Sequence, residues 1–406
     1  MNYWSSSGTQ TTAERPVSPQ NGLISGRKHA LDGLRTIAVI GVFLFHTVTE
    51  LVPGGSIGVD VFFTLSGFVI TLLILKEYQA TGRLRLRIFY AKRLARLWPA
   101  VLAVCAVVVA VGIVFPLSGW GGQQANAIPA AAYVMNFANY GVFGASTGGN
   151  ALSPTWTLAV EEQFYLVWPV LLLVMLRFWK LSTVVRLTAG LAAAFLVLRF
   201  ILVMVGAPLA RLYNGPDTRA DQLLLGCVMA LLFASVSHGS PVHASLQSGA
   251  RWAGPLAGLA LVAALFVLKE PATPGAWFSV FWTAGPTVLA LLAAVVIGSL
   301  VLRPAGFASR ILSHPWLANP GRDLSYAAYL WHLPVYLLLI PLVPSLWVRV
   351  PLAAALTVLM AYLSFRFVER PIRRWASGKL EPAVVRPVPE RAPAAERELE
   401  PAGRTE

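Results

Sequence analysis

The most constraining feature of this sequence is a series of apolar runs of about 20 residues that recur along nearly the whole chain. A run of that length crosses a hydrocarbon core of about 30 Å as a helix. Lipid admits only helices or closed barrels as spanning structures, and continuous rather than alternating runs are typical of helices. Hydrophobic residues make up 56% of the chain and charged residues 12%, against roughly 25% charged residues in soluble domains. The sequence therefore predicts an all-α, polytopic transmembrane helix bundle of about ten helices.

Ten segments have the length and composition of a membrane-spanning helix. They are residues 34–52, 57–75, 99–117, 160–178, 184–205, 220–236, 254–268, 279–302, 324–343 and 348–368. We place them in one transmembrane domain, residues 29–376, between polar tails at 1–28 and 377–406 whose composition predicts disorder. Residues 127–145 are only moderately apolar, and we interpret them as an outer-face helix or re-entrant segment, with a full crossing left open.

The formal net charge of +14 is typical of nucleic-acid binding in a soluble protein. Here the basic residues lie in short connections between apolar runs, and residues 76–98 carry seven lysines and arginines with Glu77 as the single acid. With ten spans and both termini cytoplasmic, all basic connections fall on one side, as the positive-inside rule requires. We therefore predict a multi-pass protein of the plasma membrane without a nucleic-acid partner. The two cysteines lie in apolar runs and predict neither a disulfide nor a metal site.

The first apolar run contains Arg35 and His46, two side chains that are costly to place within a membrane. They are eleven residues apart, which on a helix is three turns plus about 20°, so both lie on one face with a rise of about 16 Å. Imidazole takes and returns protons near neutral pH, and a guanidinium suits phosphate. One helix thus presents a candidate general base and a candidate phosphate ligand. The alternative is a snorkelling arginine and a packing histidine.

Four carboxylates are predicted on the same outer side of the membrane as His46. They are Asp60, Glu161, Glu162 and Asp221. Each has a structural explanation by itself, because a helix N-terminus favours a carboxylate. Their shared depth favours one of them orienting His46 and stabilising its imidazolium, and we assign that role to Glu161. The other three are candidate substrate contacts together with Arg219, although Arg219 and Asp221 can also pair with each other.

Two further groups of side chains are candidate substrate contacts. Arg93 and Arg96 lie with Arg35 at predicted cytoplasmic ends of spans, where phosphates would meet charge-assisted donors. The positive-inside rule by itself also predicts arginines there. In the ninth span, Tyr329 and His332 share a helix face, and the alternative for His332 is a hydrogen-bonded core histidine.

Six segments combine these polar residues with apolar helical sequence. They are LDGLRTIAVIGVFLFH, GVDVFFTLSGFVIT, FYAKRLARLWPA, SPTWTLAVEEQFYLVWP, DLSYAAYLWHLPV and FVERPIRRW. In this order and spacing they resemble the acyltransferase 3 family of integral membrane O-acyltransferases over residues 29–376. Thr157 stands where the family more often has serine. The chain carries no SGNH-type hydrolase domain, which some polysaccharide-modifying members have, and we expect a stand-alone enzyme.

The resemblance implies an enzyme that transfers an acetyl or other short acyl group, not an aminoacyl group, from acyl-CoA to a hydroxyl. It makes Arg35 and His46 the essential pair and acyl-CoA the donor substrate, with no bound cofactor or metal. Acceptors in the family include cell-surface glycans, lipid-linked sugars and macrolides. Without the hydrolase domain, the chain most resembles members that modify macrolide-like metabolites or exopolysaccharides.

A proton-coupled transporter or exporter is the second interpretation, because buried His, Asp and Glu residues also suit proton relays. Many transporters have symmetric halves and interrupted helices, and we find neither pattern in this sequence. A structural or sensory module would leave the aligned intramembrane charges unexplained. We therefore favour the enzyme; the acceptor, the acyl chain length, the choice between direct transfer and an acyl-enzyme, and the oligomeric state stay open.

Overall fold

The computed structural model describes residues 28–114, 123–142, 150–237 and 239–380. These residues form α-helices, one π-helical segment and no strand. The helices are α1 (His29–Thr47), α2 (Ile57–Thr81), α3 (Leu86–Val114), α4 (Gln123–Ala131), α5 (Met135–Asn139), α6 (Thr155–Phe178), α7 (Leu181–Met204), α8 (Leu209–Asn214), α9 (Pro216–Ser235), α10 (Pro241–Val267), α11 (Ala276–Leu302), α12 (Phe307–Leu312), α13 (Pro315–Asp323), α14 (Ser325–Leu339), α15 (Leu346–Leu363), the π-helix (Ser364–Glu369) and α16 (Arg370–Leu380). The two predicted disordered tails lie outside the described residues, apart from Lys28 and the end of α16.

Nine helical segments in the described part of the chain are long and apolar enough to cross a membrane. They are α1, α2, α3, α6, α7, α8 joined to α9, α10, α11, and α15 with its continuation through the π-helix into α16. They coincide with nine of the ten predicted spans and confirm the all-α transmembrane bundle. The remaining prediction, residues 324–343, corresponds to α14, which has 15 residues. Such a helix rises about 22 Å, less than a hydrocarbon core of about 30 Å.

Several helices begin well before the predicted spans. The basic connection predicted at residues 76–98 is mostly helical, because α2 continues to Thr81 and α3 already begins at Leu86. Hydropathy marks the apolar part of a helix, and the backbone remains helical beyond it where charged side chains meet water or one another. Arg93 and Arg96 therefore belong to α3, and their spacing of three residues places them on one helix face.

The segment predicted to be re-entrant, residues 127–145, contains most of α4 and all of α5, and neither is long enough to span a membrane; its last three residues lie outside the described ranges. At the turn between the two helices, Tyr133 has a φ of 54°, a left-handed conformation that is uncommon for a residue other than glycine. Gln163 on α6 donates to the Tyr133 carbonyl at 3.0 Å and exchanges hydrogen bonds with the Asn136 side chain. The turn is thus anchored to α6.

Helix α2 packs against α1, α6, α9 and α11. Its contact with α9 is close because glycines face backbone: a Cβ on Gly67 would overlap the carbonyl of Leu223, and one on Gly226 would overlap that of Thr64. Small residues permit this approach between membrane helices. The close packing brings the polar start of α2 against the polar start of α9.

Candidate active site

Two adjoining cavities lie along α1, α2, α6 and α14, and Val59 and Tyr329 line both of them. The first, here called the arginine cavity, has a volume of about 130 Å³. The second, the histidine cavity, has a volume of about 210 Å³. Arg35 lines the first and His46 lines the second. The predicted face of α1 therefore turns both side chains toward cavities inside the bundle.

The arginine cavity concentrates charge. Its charged lining residues are Arg35, Arg93, Arg96, Glu161 and Glu162. Arg93 donates to both carboxylate oxygens of Glu162, with the shortest N–O distance at 2.8 Å, and its guanidinium lies 3.4 Å from the centre of the Tyr165 ring. Arg35 lies 3.6 Å from Asp32. Arg93 thus makes a close ion pair with Glu162, whereas the distance between Arg35 and its partner Asp32 is longer.

The side chain of Arg96 makes no ion pair or hydrogen bond with any residue that the structure describes. Its electrostatic neighbours are Arg35, Arg93 and Arg373, opposed by Glu369 at the end of the π-helix. Glu369 is in turn paired with Arg373 at 2.6 Å. A guanidinium among other guanidinium groups, without a carboxylate of its own, is a ready binding group for an anion, and phosphate suits its planar donors.

The histidine cavity is lined mainly by neutral polar and aromatic side chains. Besides His46, its polar lining residues are Ser56, Asn139, Ser153, Trp156, Tyr213, Asn214 and Tyr329. They come from the start of α2, from α5, from the start of α6, from α8 and from α14, so the segment of residues 127–145 forms part of this wall through α5. This cavity is suited to a neutral ligand with hydroxyl groups.

His46 is held in the tautomer that a general base needs. Its Nδ1 lies 2.9 Å from the carbonyl oxygen of Val42, one helical turn earlier. Because a carbonyl oxygen only accepts, Nδ1 carries the proton and Nε2 keeps its lone pair. His332 lies behind it, with ring centres 5.0 Å apart. Nδ1 of His332 donates to the Tyr329 carbonyl in the same way, and its buried Nε2 has no partner among the described atoms.

The predicted contact between Glu161 and His46 is absent from the structure. Glu161 lines the arginine cavity and accepts a hydrogen bond of 2.8 Å from Ser66 on α2. The orienting bond to His46 comes instead from the Val42 carbonyl. The prediction was wrong because both acids were placed at the depth of His46, whereas Glu161 and Glu162 lie one to two turns inside α6, beside the arginines.

Tyr329 forms a wall between the two cavities. Its hydroxyl donates to the Pro154 carbonyl at 3.0 Å and accepts from Thr157 at 2.8 Å, so it is fixed to the start of α6. Its ring packs edge-on against Phe62, with centres 6.1 Å apart. Thr157 therefore uses its hydroxyl to hold this wall in place.

Asp60, Arg219 and Asp221 do not face either cavity, contrary to their prediction as substrate contacts. Asp60 pairs with Arg219 at 3.3 Å, and Asp221 pairs with Arg199 at 2.9 Å; all four side chains are buried. Arg219 and Asp221 thus pair with other partners rather than with each other. Buried charges need such partners, and these pairs join α2 to α9 and α7 to α9. Arg219 supports the histidine cavity from behind, because its guanidinium lies 4.9 Å from the Tyr213 ring centre.

Sequence reasoning missed several residues of the site. Arg199 lies in the middle of the run LAAAFLVLRFILVM, and a lone arginine within a span is a signal that was available. Asn139 and Ser153 gave no signal, because they lie outside the apolar runs and only the folded re-entrant segment brings them beside His46. Ser66 donates to Glu161 and so links α2 to α6, a contact that the sequence pattern does not indicate.

Comparison with known proteins decides the family. A family model described as an acyltransferase domain, acyltransferase 3, matches residues 28–366. The chain belongs to the acyltransferase 3 family. It is 34% identical over 354 residues to the peptidoglycan O-acetyltransferase OatA of Listeria monocytogenes, covering 85% of this chain and 56% of that protein. It is 31% identical over 355 residues to the O-acetyltransferase OatA of Staphylococcus aureus, and the match covers 85% of this chain and 57% of that protein.

This chain thus spans little more than half the length of the curated relatives that it matches. No solved structure matches it. The resemblance found in the six sequence motifs is confirmed: the matching family model describes an acyltransferase domain, and the relatives named here are O-acetyltransferases. The multi-pass helical bundle described above is the membrane domain of this family.

Proposed function

We propose that this protein transfers an acetyl or other short acyl group from acyl-CoA to a hydroxyl group of a glycan. The observation that carries the proposal is the Nε2 of His46, which bonds to none of the described residues, in a cavity that adjoins the arginine cavity across Tyr329. This arrangement supports a general base and a cationic binding site on opposite sides of one side chain. Catalysis of acyl transfer needs both groups in defined positions.

The donor occupies the arginine cavity in this proposal. The phosphates of acyl-CoA are polyanionic, and Arg96 and Arg35 are the cavity guanidinium groups that Glu162 does not neutralise. Charge-assisted bonds from these groups would hold the phosphates while the flexible arm reaches toward Tyr329. On this proposal the arginine cavity faces the cytosol, where acyl-CoA is made, and the membrane is the plasma membrane. Both termini are then cytoplasmic, which requires the short helix α14 to complete a tenth crossing between α13 and α15.

The chemical step is a transfer between a thioester and an alcohol. Nε2 of His46 takes the proton from the acceptor hydroxyl as its oxygen attacks the thioester carbonyl, so that a carbon–oxygen bond forms and the carbon–sulfur bond breaks. The imidazolium then returns that proton to the departing thiolate, and the free thiol leaves. His332, 5.0 Å away, and the Val42 carbonyl keep the His46 ring in the position this step requires.

A glycan is the acceptor we favour over a macrolide. One relative is named a peptidoglycan O-acetyltransferase, and the neutral polar lining of the histidine cavity suits hydroxyl groups. The extra length of the relatives leaves open which further segments act with this domain on its acceptor.

The experiment is a transfer assay with purified full-length chain in nanodiscs, radiolabelled acetyl-CoA and a soluble glycan acceptor. His46→Ala is expected to lower the rate of transfer by about a thousandfold, within the range for loss of a general base. Binding of acetyl-CoA to the same variant, measured by equilibrium dialysis, should be unchanged because the arginine cavity is intact.

His314→Ala is the matched control, because this histidine caps α13 away from both cavities. It should retain wild-type transfer. Transfer at the wild-type rate by His46→Ala would reject His46 as the base. Absence of any acyl transfer by the wild-type protein, with uptake of the glycan into proteoliposomes instead, would favour the transporter.

A further inference from the structure

We infer that Asn139, Ser153 and Trp156 form a subsite in the histidine cavity that binds one sugar ring of the acceptor and thereby selects sugars over macrolactones. The inference rests on the proposed function, since it concerns the acceptor of that reaction. Its evidence is a set of hydrogen-bonding groups that have no partner within the described part of the chain, on one wall of the cavity that also contains Nε2 of His46.

The first observation concerns Asn139 and Ser153. The Asn139 amide nitrogen donates to the Ser153 carbonyl at 3.3 Å, to the Ser153 hydroxyl oxygen at 3.2 Å and to the side-chain oxygen of Asn214 at 3.2 Å. These bonds fix the orientation of the amide. Across the described ranges, the amide oxygen of Asn139 accepts no hydrogen bond and the hydroxyl hydrogen of Ser153 is not donated.

A fixed acceptor and a fixed donor therefore lie next to each other on the cavity wall. A sugar hydroxyl both donates and accepts, and neighbouring hydroxyls on a ring offer one of each at short spacing. A site built to bond a hydroxyl discriminates strongly against a ligand that lacks it, because its polar groups are then left unpaired.

The second observation concerns the aromatic side of the cavity. The rings of Trp156 and Tyr213 have centres 4.9 Å apart at an angle of 52°. The Arg219 guanidinium lies 5.6 Å from the Trp156 ring centre and is itself paired with Asp60, so the aromatic wall is supported by a buried charge pair. The indole N–H of Trp156 makes no hydrogen bond to the described part of the chain.

An aromatic side chain with an apolar body and a polar edge suits a sugar, whose C–H face packs on a ring while its hydroxyls bond at the edge. The cavity volume of about 210 Å³ is on the scale of one sugar ring rather than a large macrocycle. Glu270 accepts a hydrogen bond of 2.8 Å from Ser56, a residue of the cavity lining, and so is already engaged. Size, polarity and aromatic lining therefore agree on a single neutral sugar residue.

The test measures binding rather than turnover, on full-length chain with His46→Ala in nanodiscs. The probes are a β-1,4-linked N-acetylglucosamine tetramer and a macrolactone polyol without sugar substituents. Adding Ser153→Ala is expected to raise the Kd of the tetramer about fivefold through loss of one hydrogen bond, and adding Trp156→Phe about tenfold. Neither change should tighten or weaken binding of the macrolactone by more than about twofold.

Ser235→Ala and Trp347→Phe are the matched controls, because both side chains are exposed and far along the chain from the cavity lining. An unchanged Kd for the tetramer in both test variants, or macrolactone binding that weakens instead, would overturn the inference. Because binding is read without turnover, a wild-type protein that fails to transfer acetyl yet binds the tetramer as described would reject the proposed function and leave the sugar subsite standing.

Discussion

The arginine cavity and the histidine cavity share a wall and differ in every other respect. The first contains five charged side chains, of which Arg93 and Glu162 neutralise each other, and leaves Arg96 without a partner in the described residues. The second has no acidic or arginine side chain in its described lining. The charged residues Asp60, Arg219, Asp221 and Arg199 lie outside that lining and form two buried ion pairs. On the proposed function, this difference lets one helix bundle accommodate a polyanionic donor and a neutral acceptor within the length of α1.

The two cavities also differ in how their polar groups are held. Backbone carbonyls of Val42 and Tyr329 fix the two histidines, whereas side chains of α3 and α6 fix Arg93 and Glu162. Carbonyl bonds within a helix are insensitive to neighbouring mutations. We therefore expect substitutions at the arginine cavity to change kinetic constants for the acyl donor, and substitutions at the histidine cavity to change those for the acyl acceptor.

The largest expected separation comes from Arg96→Ala. Loss of a charged donor to phosphate is expected to raise the KM for acetyl-CoA by about 10- to 100-fold, with the KM for the acceptor unchanged. Initial rates at varied donor and fixed acceptor, and the reverse, measure the two constants. Arg251→Ala is the matched control, since Arg251 lies on α10 outside both cavities. An equal rise in both constants would break the distinction between the cavities.

Tyr329→Ala should give a smaller effect by removing the shared wall. Water from the histidine cavity would then reach the thioester, and we expect hydrolysis of acetyl-CoA without acceptor to rise about tenfold, in line with the role of closed sites in preventing side reactions. Release of free thiol in the absence of acceptor measures it. Tyr329→Phe keeps the ring and loses the bonds to Thr157 and Pro154, so it should stay near the wild-type hydrolysis rate. Equal hydrolysis in all three proteins would show that this side chain does not separate the cavities.

The smallest expected effect is on stability and concerns Glu270, which lies in the connection between α10 and α11 and bonds Ser56 of the histidine cavity. Burial raises the pKa of this carboxyl above its ordinary value of 4.5, although Arg219 opposes the shift. A carboxyl with a raised pKa binds its proton more tightly in the folded state, so the free energy of unfolding falls as pH rises from the unfolded pKa through the folded one.

Glu270→Gln keeps an acceptor for Ser56 and removes this titration. The wild-type melting temperature in detergent should therefore fall more between pH 4.5 and pH 8 than that of Glu270→Gln. Differential scanning fluorimetry at matched buffer conditions measures both, and Glu50→Gln, an exposed acid after α1, is the control. Parallel pH profiles of all three proteins would contradict the expected role of Glu270.

Much of the bundle was predictable because membrane helices are specified by local composition. The apolar runs predicted nine of the spans that the structure contains, and the spacing of Arg35 and His46 predicted a common face. The start of α3 was misplaced by thirteen residues, from 99 to Leu86, because a helix extends into charged sequence without a hydropathy signal.

The polar residues of the candidate site could be predicted from the sequence, but their hydrogen-bond and ion-pair partners could not. A charge within a span indicates a polar environment, yet it does not indicate which partner satisfies it. Glu161 was assigned to His46 and bonds Ser66 instead; Arg219 and Asp221 were left as a possible pair and bond Asp60 and Arg199. The sequence predicts how deep a side chain lies along its own helix. Which residues pair also depends on how each helix is rotated about its axis and on which helices are its neighbours.

The sequence by itself determined that this chain is a membrane bundle, that Arg35 and His46 share a face, and that six motifs in order belong to one family. Helix periodicity and the exclusion of water from lipid are local constraints, and a local pattern is enough to express them. Only the tertiary structure decided that two cavities adjoin at Tyr329, that the Val42 carbonyl rather than a carboxylate orients His46, and that Asn139 and Ser153 lie beside it. These contacts join residues far apart in the chain, and the packing of helices against one another, which no single segment specifies, brings them together.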